Sequence, residues 1–241
     1  MGKIGIFDSG VGGLNVLNDL VVNFPNRNFI YLADTKNSPY GTKTGSEVKN
    51  ITQNIIHYFE KLDVVAIVIA CNTATTQSYD IISPVPIIRI IEPTAIEAKQ
   101  AGGRIAVLAT NLTVDTRAYQ KFIPEATGIR ASELVGIADL GLFDTTTSYN
   151  TLLGLLEPVK GMIDTLILGC THFSKYTNQI RDIMGEINII DSSTSISPIL
   201  KNFLELKPSN GSIELFTTGD EKILNALWII ANDLKFTHVD I

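Results

Sequence analysis

The sequence predicts an α/β protein made of two similar βα units with mostly parallel sheets, related by pseudo-symmetry, with its site in the cleft between them. Short apolar runs alternate along the chain with helical stretches, the pattern of parallel strands covered on both faces. Two of these runs, Val64 to Ala70 and Thr165 to Gly169, stop abruptly at a cysteine followed by small polar residues. Cys71 and Cys170 are the only 2 cysteines among the 241 residues, and they hold equivalent places in the two units. Open α/β sheets hold ligands beyond the carboxyl ends of their strands, so both thiols are candidate site residues.

A lone cysteine at a strand end is commonly a small buried hydrophobe. Core packing gives no reason for both cysteines to fall at matching strand–loop–helix junctions. A disulfide would need an oxidising compartment, and nothing in the chain points to one.

Apolar residues make up 45% of the chain, enough to bury a full core in one large domain or two smaller ones. The 19 basic residues against 25 acidic ones leave a formal charge of −6 with no basic cluster, so the chain carries no electrostatic footprint for nucleic acid or an anionic membrane. Small molecules are the expected partners. The start MGKIGIFDSG has no positive n-region ahead of an apolar core. No apolar run approaches a membrane-spanning length, and a cytoplasmic protein is expected.

Taken in order, Lys3 to Phe7 reads as a strand, and DSGVGG from Asp8 to Gly13 turns into a helix with an apolar stripe of Leu14, Leu17 and Val21. A glycine turn opening a helix either offers N–H groups to a carboxylate or phosphate or permits close packing. Neither nucleotide fingerprint is completed: Asn15 stands where a dinucleotide-binding glycine would fall, and no P-loop lysine follows. Asp8 reads as a helix cap or as part of the chemistry. Asn28 to Ala33 is the next strand and delivers Asp34 to its carboxyl end. The polar loop TKNSPYGTKT follows, with Tyr40 as a packing anchor or a site residue. Thr44 and Glu47 have capping-box spacing for a helix that buries Val48, Ile51, Ile55, Phe59 and Leu62 and leaves His57 outside.

Past the Cys71 unit, Pro86 to Ile91 reads as a strand, and Glu92-Pro93-Thr94 starts a helix that ends at Gly102-Gly103, the expected unit boundary. The pattern restarts with a strand at Ile105 to Ala109, the polar turn TNLT, a helix to about Phe122 and a strand near Glu133 to Ala138. Thr151 to Ile163 reads as a helix leading into the Cys170 strand, itself followed by the start of a helix. Ile187 to Ile190 reads as a strand and Ile196 to Leu204 as a helix. KPSNG, from Lys207 to Gly211, is a second linker. A last strand, Ile213 to Thr217, and a helix capped near Thr218 or Asp220 and running to Leu234 return to the first unit. The expected units are residues 1–101 with 209–241, carrying Cys71, and residues 102–208, carrying Cys170.

Two thiols facing each other across a cleft suit the inversion of a carbon that bears an acidic hydrogen. One base removes the proton from one face while an acid supplies a proton to the other. A thiol's ordinary pKa of about 8.5 places both protonation states within reach near neutrality. Asp8 is a candidate neighbour for Cys71. His172 is a candidate neighbour for Cys170, or else a structural histidine. Charge that develops on the substrate needs preorganised donors, which Ser9, Asn72, Thr73, Thr171 and His172 supply.

The motifs IGIFDSGVGGL at the start, ADT with PYG over Asp34 to Gly41, ACNTAT at Cys71, IAVLATNLTV near Thr110, LGCTHF at Cys170 and TTGD over Thr217 to Asp220 resemble those of glutamate racemases along essentially the whole chain. The resemblance implies a cofactor-independent enzyme that interconverts L- and D-glutamate and supplies the D-isomer for bacterial peptidoglycan. It implies Cys71 and Cys170 as catalytic acid/bases assisted by Asp8 and His172, with Asp34 a further acidic residue near the first cysteine. It places substrate contacts on Asp8, Ser9, Tyr40, Gly41, Asn72, Thr73, Thr171 and His172. It also implies that Cys71 works on the D-isomer and Cys170 on the L-isomer, no metal, and a homodimer. The chain departs from the family in three places. VGIAD, ending in Asp139, stands where a stretch like VPLVE is common. Lys36-Asn37-Ser38 replaces the usual arginine turn, and Ser174 follows GCTHF where tyrosine and proline often sit.

Three other readings compete. Racemisation of aspartate or another acidic compound would use the same fold. A metal-dependent hydrolase would need a ligand cluster, which His57, His172 and His238 do not form at metal-site spacing. A non-catalytic small-molecule sensor would bind ligand without turnover.

Overall fold

Among the described residues every paired strand runs parallel to its neighbours, and the strands fall into two sheets. The computed structural model of the chain describes residues 2–203, 210–222, 224 and 234–241. In the first sheet β1 (Lys3–Asp8), β2 (Phe29–Ala33), β3 (Val64–Ile69) and β4 (Ile87–Arg89) lie in the order β2-β1-β3-β4. In the second, β5 (Ile105–Ala109), β6 (Thr127–Arg130), β7 (Thr165–Gly169) and β8 (Asn188–Asp191) repeat that order as β6-β5-β7-β8. Cys71 follows β3 and Cys170 follows β7, so the topology puts the two thiols at corresponding strand ends. β9 (Ile213–Thr217) pairs with β2, and β10 (Phe236–His238) pairs with β9, widening the first sheet only.

The helices are α1 (Leu14–Asn23), α2 (Gly45–Glu60), α3 (Asn72–Thr76), α4 (Ile91–Ala101), α5 (Asn111–Asp115), α6 (Ser132–Asp139), α7 (Thr146–Leu156), α8 (Thr177–Met184) and α9 (Ser197–Phe203). No helix among the described residues is long and apolar enough to cross a membrane. α2 forms as its sequence dictates, with Thr44 and Glu47 closing a capping box and His57 exposed. Its buried face is Val48, Thr52, Ile55, Ile56 and Phe59, while Ile51 and Leu62 are half-buried at the margin. α1 likewise buries Val16, Leu17 and Leu20, with Leu14 and Val21 beside that stripe.

One apolar core joins the two sheets. Val68 and Ile88 enter it from the first sheet and Val107 and Ile167 from the second, with Ile91, Ala95 and Ala98 of α4 among them. α4 precedes the Gly102-Gly103 turn yet packs on β7 and β8 of the second sheet. Both glycines take the left-handed backbone that lets the chain reverse there.

The structure corrects several local expectations. Residues 133–138 are part of helix α6, because Leu134, Val135 and Ala138 recur at helical spacing and bury one face together. The strand of that region is β6, whose Gly128 and mostly exposed residues lack an apolar run. The helix expected up to Phe122 stops at Asp115. Arg117 is left-handed, and a 3₁₀ turn at Tyr119–Lys121 follows and turns Tyr119 inward. α7 begins at Thr146, earlier than Thr151, under a Thr145–Ser148 capping box. After Cys170 the chain makes a 3₁₀ turn over Phe173–Tyr176, burying both aromatic rings, before α8 begins. β10 is a short edge strand without a hydrophobic signature and was not foreseen. Most of the expected helix to Leu234 and most of the Lys207–Gly211 linker lie outside the described residues.

Gly5 of β1 shows how tightly this layer packs: a Cβ there would sit 2.8 Å from the ring of Phe59, which is fully buried beside Phe7. Phe59→Ala is expected to cost about 3–5 kcal/mol in urea unfolding, the usual toll of a buried aromatic deletion. A loss below about 1 kcal/mol would mean that α2 does not pack as described.

Candidate active site

β3 and β7 aim their carboxyl ends at one cavity of about 160 Å³, lined by both cysteines. Cys71 caps α3: the Ala74 N–H donates to its sulfur at 3.4 Å, and the thiol points at Ser9 Oγ 3.8 Å away. Cys170 Sγ lies 3.8 Å from His172 Nδ1. Neither cysteine is in a disulfide, and both are buried.

Beneath the cavity, at the end of β1, Asp8 is fully buried. The N–H groups of Gly10 and Gly13 donate to its Oδ2 at 3.2 and 3.1 Å, and the Thr171 hydroxyl donates to its Oδ1 at 3.3 Å. The glycine turn therefore spends these two donors on the chain's own carboxylate. Its other service is room. A Cβ on Gly12 would lie 2.6 Å from Thr171 Oγ1 and 2.8 Å from His172 Nδ1, so only glycine admits the turn after Cys170 so closely. Asn15 adds a bond from its amide to the Thr171 carbonyl at 3.1 Å.

The charges around the two thiols differ. Burial pushes the Cys71 thiol up to about 12, and the neighbouring Asp8 charge adds to the rise. Burial opposes a charged His172 ring, but Asp139, Cys170 and Asp8 outweigh it and hold the imidazolium well above the ordinary histidine value. His172 Nε2 lies 3.1 Å from Asp139 Oδ1, at ion-pair distance but off the axis of a straight N–H bond. Asp8 itself is held above the usual carboxylate range by burial, against the pull of His172 and the backbone donors. Cys71 thus sits in surroundings that keep its proton on, while Cys170 faces a cation.

Neutral donors complete the lining. Asn72 is fixed at both ends, accepting from Tyr119 at 2.7 Å and donating to Ser192 at 3.1 Å. The Thr73 hydroxyl meets that of Thr110 at 2.8 Å across the two sheets, and Thr110 meets Thr113 at 2.9 Å. Tyr40 and Gly41 form one lip. Tyr40 donates to Asp34 at 2.5 Å, and Asp34 also accepts from Asn37 and Thr218.

Of the residues singled out in the sequence, Ser9, Tyr40, Gly41, Cys71, Asn72, Thr73, Cys170, Thr171 and His172 line the cavity. Asp8 lies below it, and Asp34 sits behind Tyr40 rather than on the lining. Sequence reasoning passed over Thr110, Ser132 and Glu133, which also line it. Thr110 directly follows β5, so the strand-end rule that found Cys71 applied to it as well. Ser132 and Glu133 were hidden by reading their helix as a strand. Among the described residues no His, Cys, Asp and Glu side chains cluster as a metal site.

Fold and site together define an α/β protein of two parallel sheets with one buried thiol from each facing a shared small-molecule cavity. Residues 21–196 match the Asp/Glu/Hydantoin racemase model, and the chain belongs to that family. It is an amino-acid racemase, an isomerase. It is 37% identical to a glutamate racemase of Clostridium novyi, over 90% of this chain and 91% of that one. It is 33% identical to that of Aquifex aeolicus, over 93% and 92%. Among solved structures, glutamate racemase from Thermus thermophilus in complex with β-chloro-D-alanine superposes with a TM-score of 0.92 at 29% identity, covering 100% of this chain and 97% of that one. The Picrophilus torridus aspartate racemase shares the fold at a TM-score of 0.67 and 21% identity, covering 86% and 96%.

Because the Asp8 charge raises Cys71, Asp8→Asn is expected to lower it. Alkylation of Cys71 by iodoacetamide, followed by mass spectrometry across a pH series, should show its midpoint moving to lower pH. A midpoint that stays or rises would contradict the electrostatic link.

Proposed function

We propose that the chain is a cofactor-independent glutamate racemase in which Cys71 and Cys170 exchange protons with opposite faces of the substrate α-carbon. The observation that carries this is the placing of two unpaired thiols at corresponding strand ends of two sheets, on one cavity, in unequal surroundings. The identity of the curated relatives supports glutamate as the substrate.

With L-glutamate bound, the Cys170 thiolate beside the His172 imidazolium removes the α-proton, and the electron pair of the C–H bond passes into the α-carbon and its carboxylate. The Cys71 thiol then donates its proton to the opposite face, leaving Cys71 as thiolate and Cys170 as thiol. The D-isomer reverses these roles. Ser9, Asn72, Thr73 and Thr171, with the Tyr40–Gly41 lip, hold the carboxylates through neutral donors fixed in advance. Asp8 and His172 set the charges at the two sulfurs. Asp34 acts one step removed, as a positioning residue that fixes Tyr40. The two lobes are residues 1–101 with 209–241 and residues 102–208. The D-glutamate formed serves peptidoglycan synthesis, in the cytoplasm, and the working form is a homodimer.

The test is circular dichroism of L-glutamate, D-glutamate and L-aspartate incubated with the protein and no added cofactor. Both glutamate isomers should lose their signal toward the racemate. Cys71→Ser and Cys170→Ser should each slow this by about 10²–10⁴-fold, the usual worth of a positioned acid or base. Turnover of aspartate alone would overturn the substrate. Tight glutamate binding without any turnover would overturn the racemase reading in favour of a sensor.

A further inference from the structure

We propose that Glu133 sets the substrate affinity of this cavity: its carboxylate stands at the rim, repels a substrate that carries two carboxylates, and raises KM equally for both enantiomers. The inference rests on the racemase reading above. Glu133 lies in the first turn of α6, exposed to solvent and lining the same cavity as the thiols. The neighbouring Ser132 pins this turn, its Oγ accepting from the Asn111 N–H at 2.8 Å. The opposite lip is close: a Cβ on Gly41 would lie 3.1 Å from Thr110 Cβ and 3.4 Å from Ser132 Oγ. The cavity is thus bounded by a narrow edge that includes the exposed Glu133.

The charge at that edge is uncompensated. The titratable groups facing the cavity are Tyr40, Cys71, Glu133, Cys170 and His172, with no lysine or arginine among the lining residues. The one cation, His172, is engaged with Cys170 and Asp139. No described cation lies within ion-pair distance of Glu133.

Size makes this charge felt. A cavity of 160 Å³ is only about 7 Å across if taken as a sphere, within the Debye length of about 8 Å at physiological salt. Two like charges at that range, with an effective dielectric between about 40 and 80, weaken binding roughly three- to eight-fold. The chemical step is spared for a separate reason. Moving a proton from substrate to thiolate shifts negative charge within the cavity without changing its sum. A rim charge therefore acts on binding more than on turnover, a uniform effect on ground and transition states.

The experiment compares the unaltered protein with Glu133→Gln and Glu133→Asp, both checked for an unchanged melting temperature. Racemisation kinetics are run from each glutamate isomer at low and high salt. Calorimetric titration with glutarate, which has both carboxylates but no ammonium, runs alongside. Glu133→Gln should lower KM roughly three- to eight-fold in both directions with kcat within about two-fold, and the gain should shrink at high salt. It should tighten glutarate binding by more, because glutarate carries the larger net charge. Glu133→Asp should stay close to the parent. An unchanged KM and glutarate affinity in Glu133→Gln would overturn the proposal. So would a raised KM, which would instead mean that Glu133 holds the substrate ammonium. No turnover by the unaltered protein would sink the racemase reading, whereas the glutarate titration would still decide whether the rim charge repels.

Discussion

The buried carboxylate of Asp8 is the interaction on which the site depends. It takes two N–H groups from the glycine turn of the first sheet and a hydroxyl from Thr171 of the second. One side chain thus ties the turn after β1 to the turn after β7. A charge held this deeply is costly unless several donors meet it. Those donors come from both halves of the molecule, so Asp8 is fully satisfied only where the two halves meet. The glycines at 12 and 13 follow from this, since a Cβ at 12 would press on Thr171 and His172 and one at 13 on Asp8 itself and Tyr31.

From the same position Asp8 makes the two thiols unlike. It stands near Cys71, where its charge adds to burial in keeping the proton on sulfur, and it also favours the His172 imidazolium that faces Cys170. The sheets repeat one strand order, yet the surroundings of the two sulfurs are not copies. β1 ends in a carboxylate, Asp8, where the corresponding strand β5 ends in Ala109. Asp139 reaches His172 from α6, on one side only. A pseudo-symmetric scaffold carrying an asymmetric charge pattern gives two identical side chains unequal surroundings.

Much of this was legible in the chain because it rests on local signals. Apolar runs ending in Cys71 and Cys170, the Thr44–Glu47 capping box and the Gly102-Gly103 reversal each act within a few residues. The helix at 132–139 was misread because a short apolar run does not distinguish a buried strand from a helix by itself. Its consequence reached the site, hiding Ser132 and Glu133. Asp34 looked like Asp8, a carboxylate at a strand end, but the neighbours that separate them are distant in sequence: Thr171 for Asp8, Thr218 for Asp34. The glycine turn read equally well as an anion cradle, and only the position of the second sheet shows it to be a socket.

The central claim is that two different groups act on the two faces of one carbon. Proton NMR of L-glutamate turning over in D2O tests it at early times. Two thiols predict D-glutamate carrying deuterium at the α-carbon from the first turnovers, while the unreacted L-glutamate keeps its proton. D-glutamate that retains the original proton would show one base returning it to the other face, and would contradict the account.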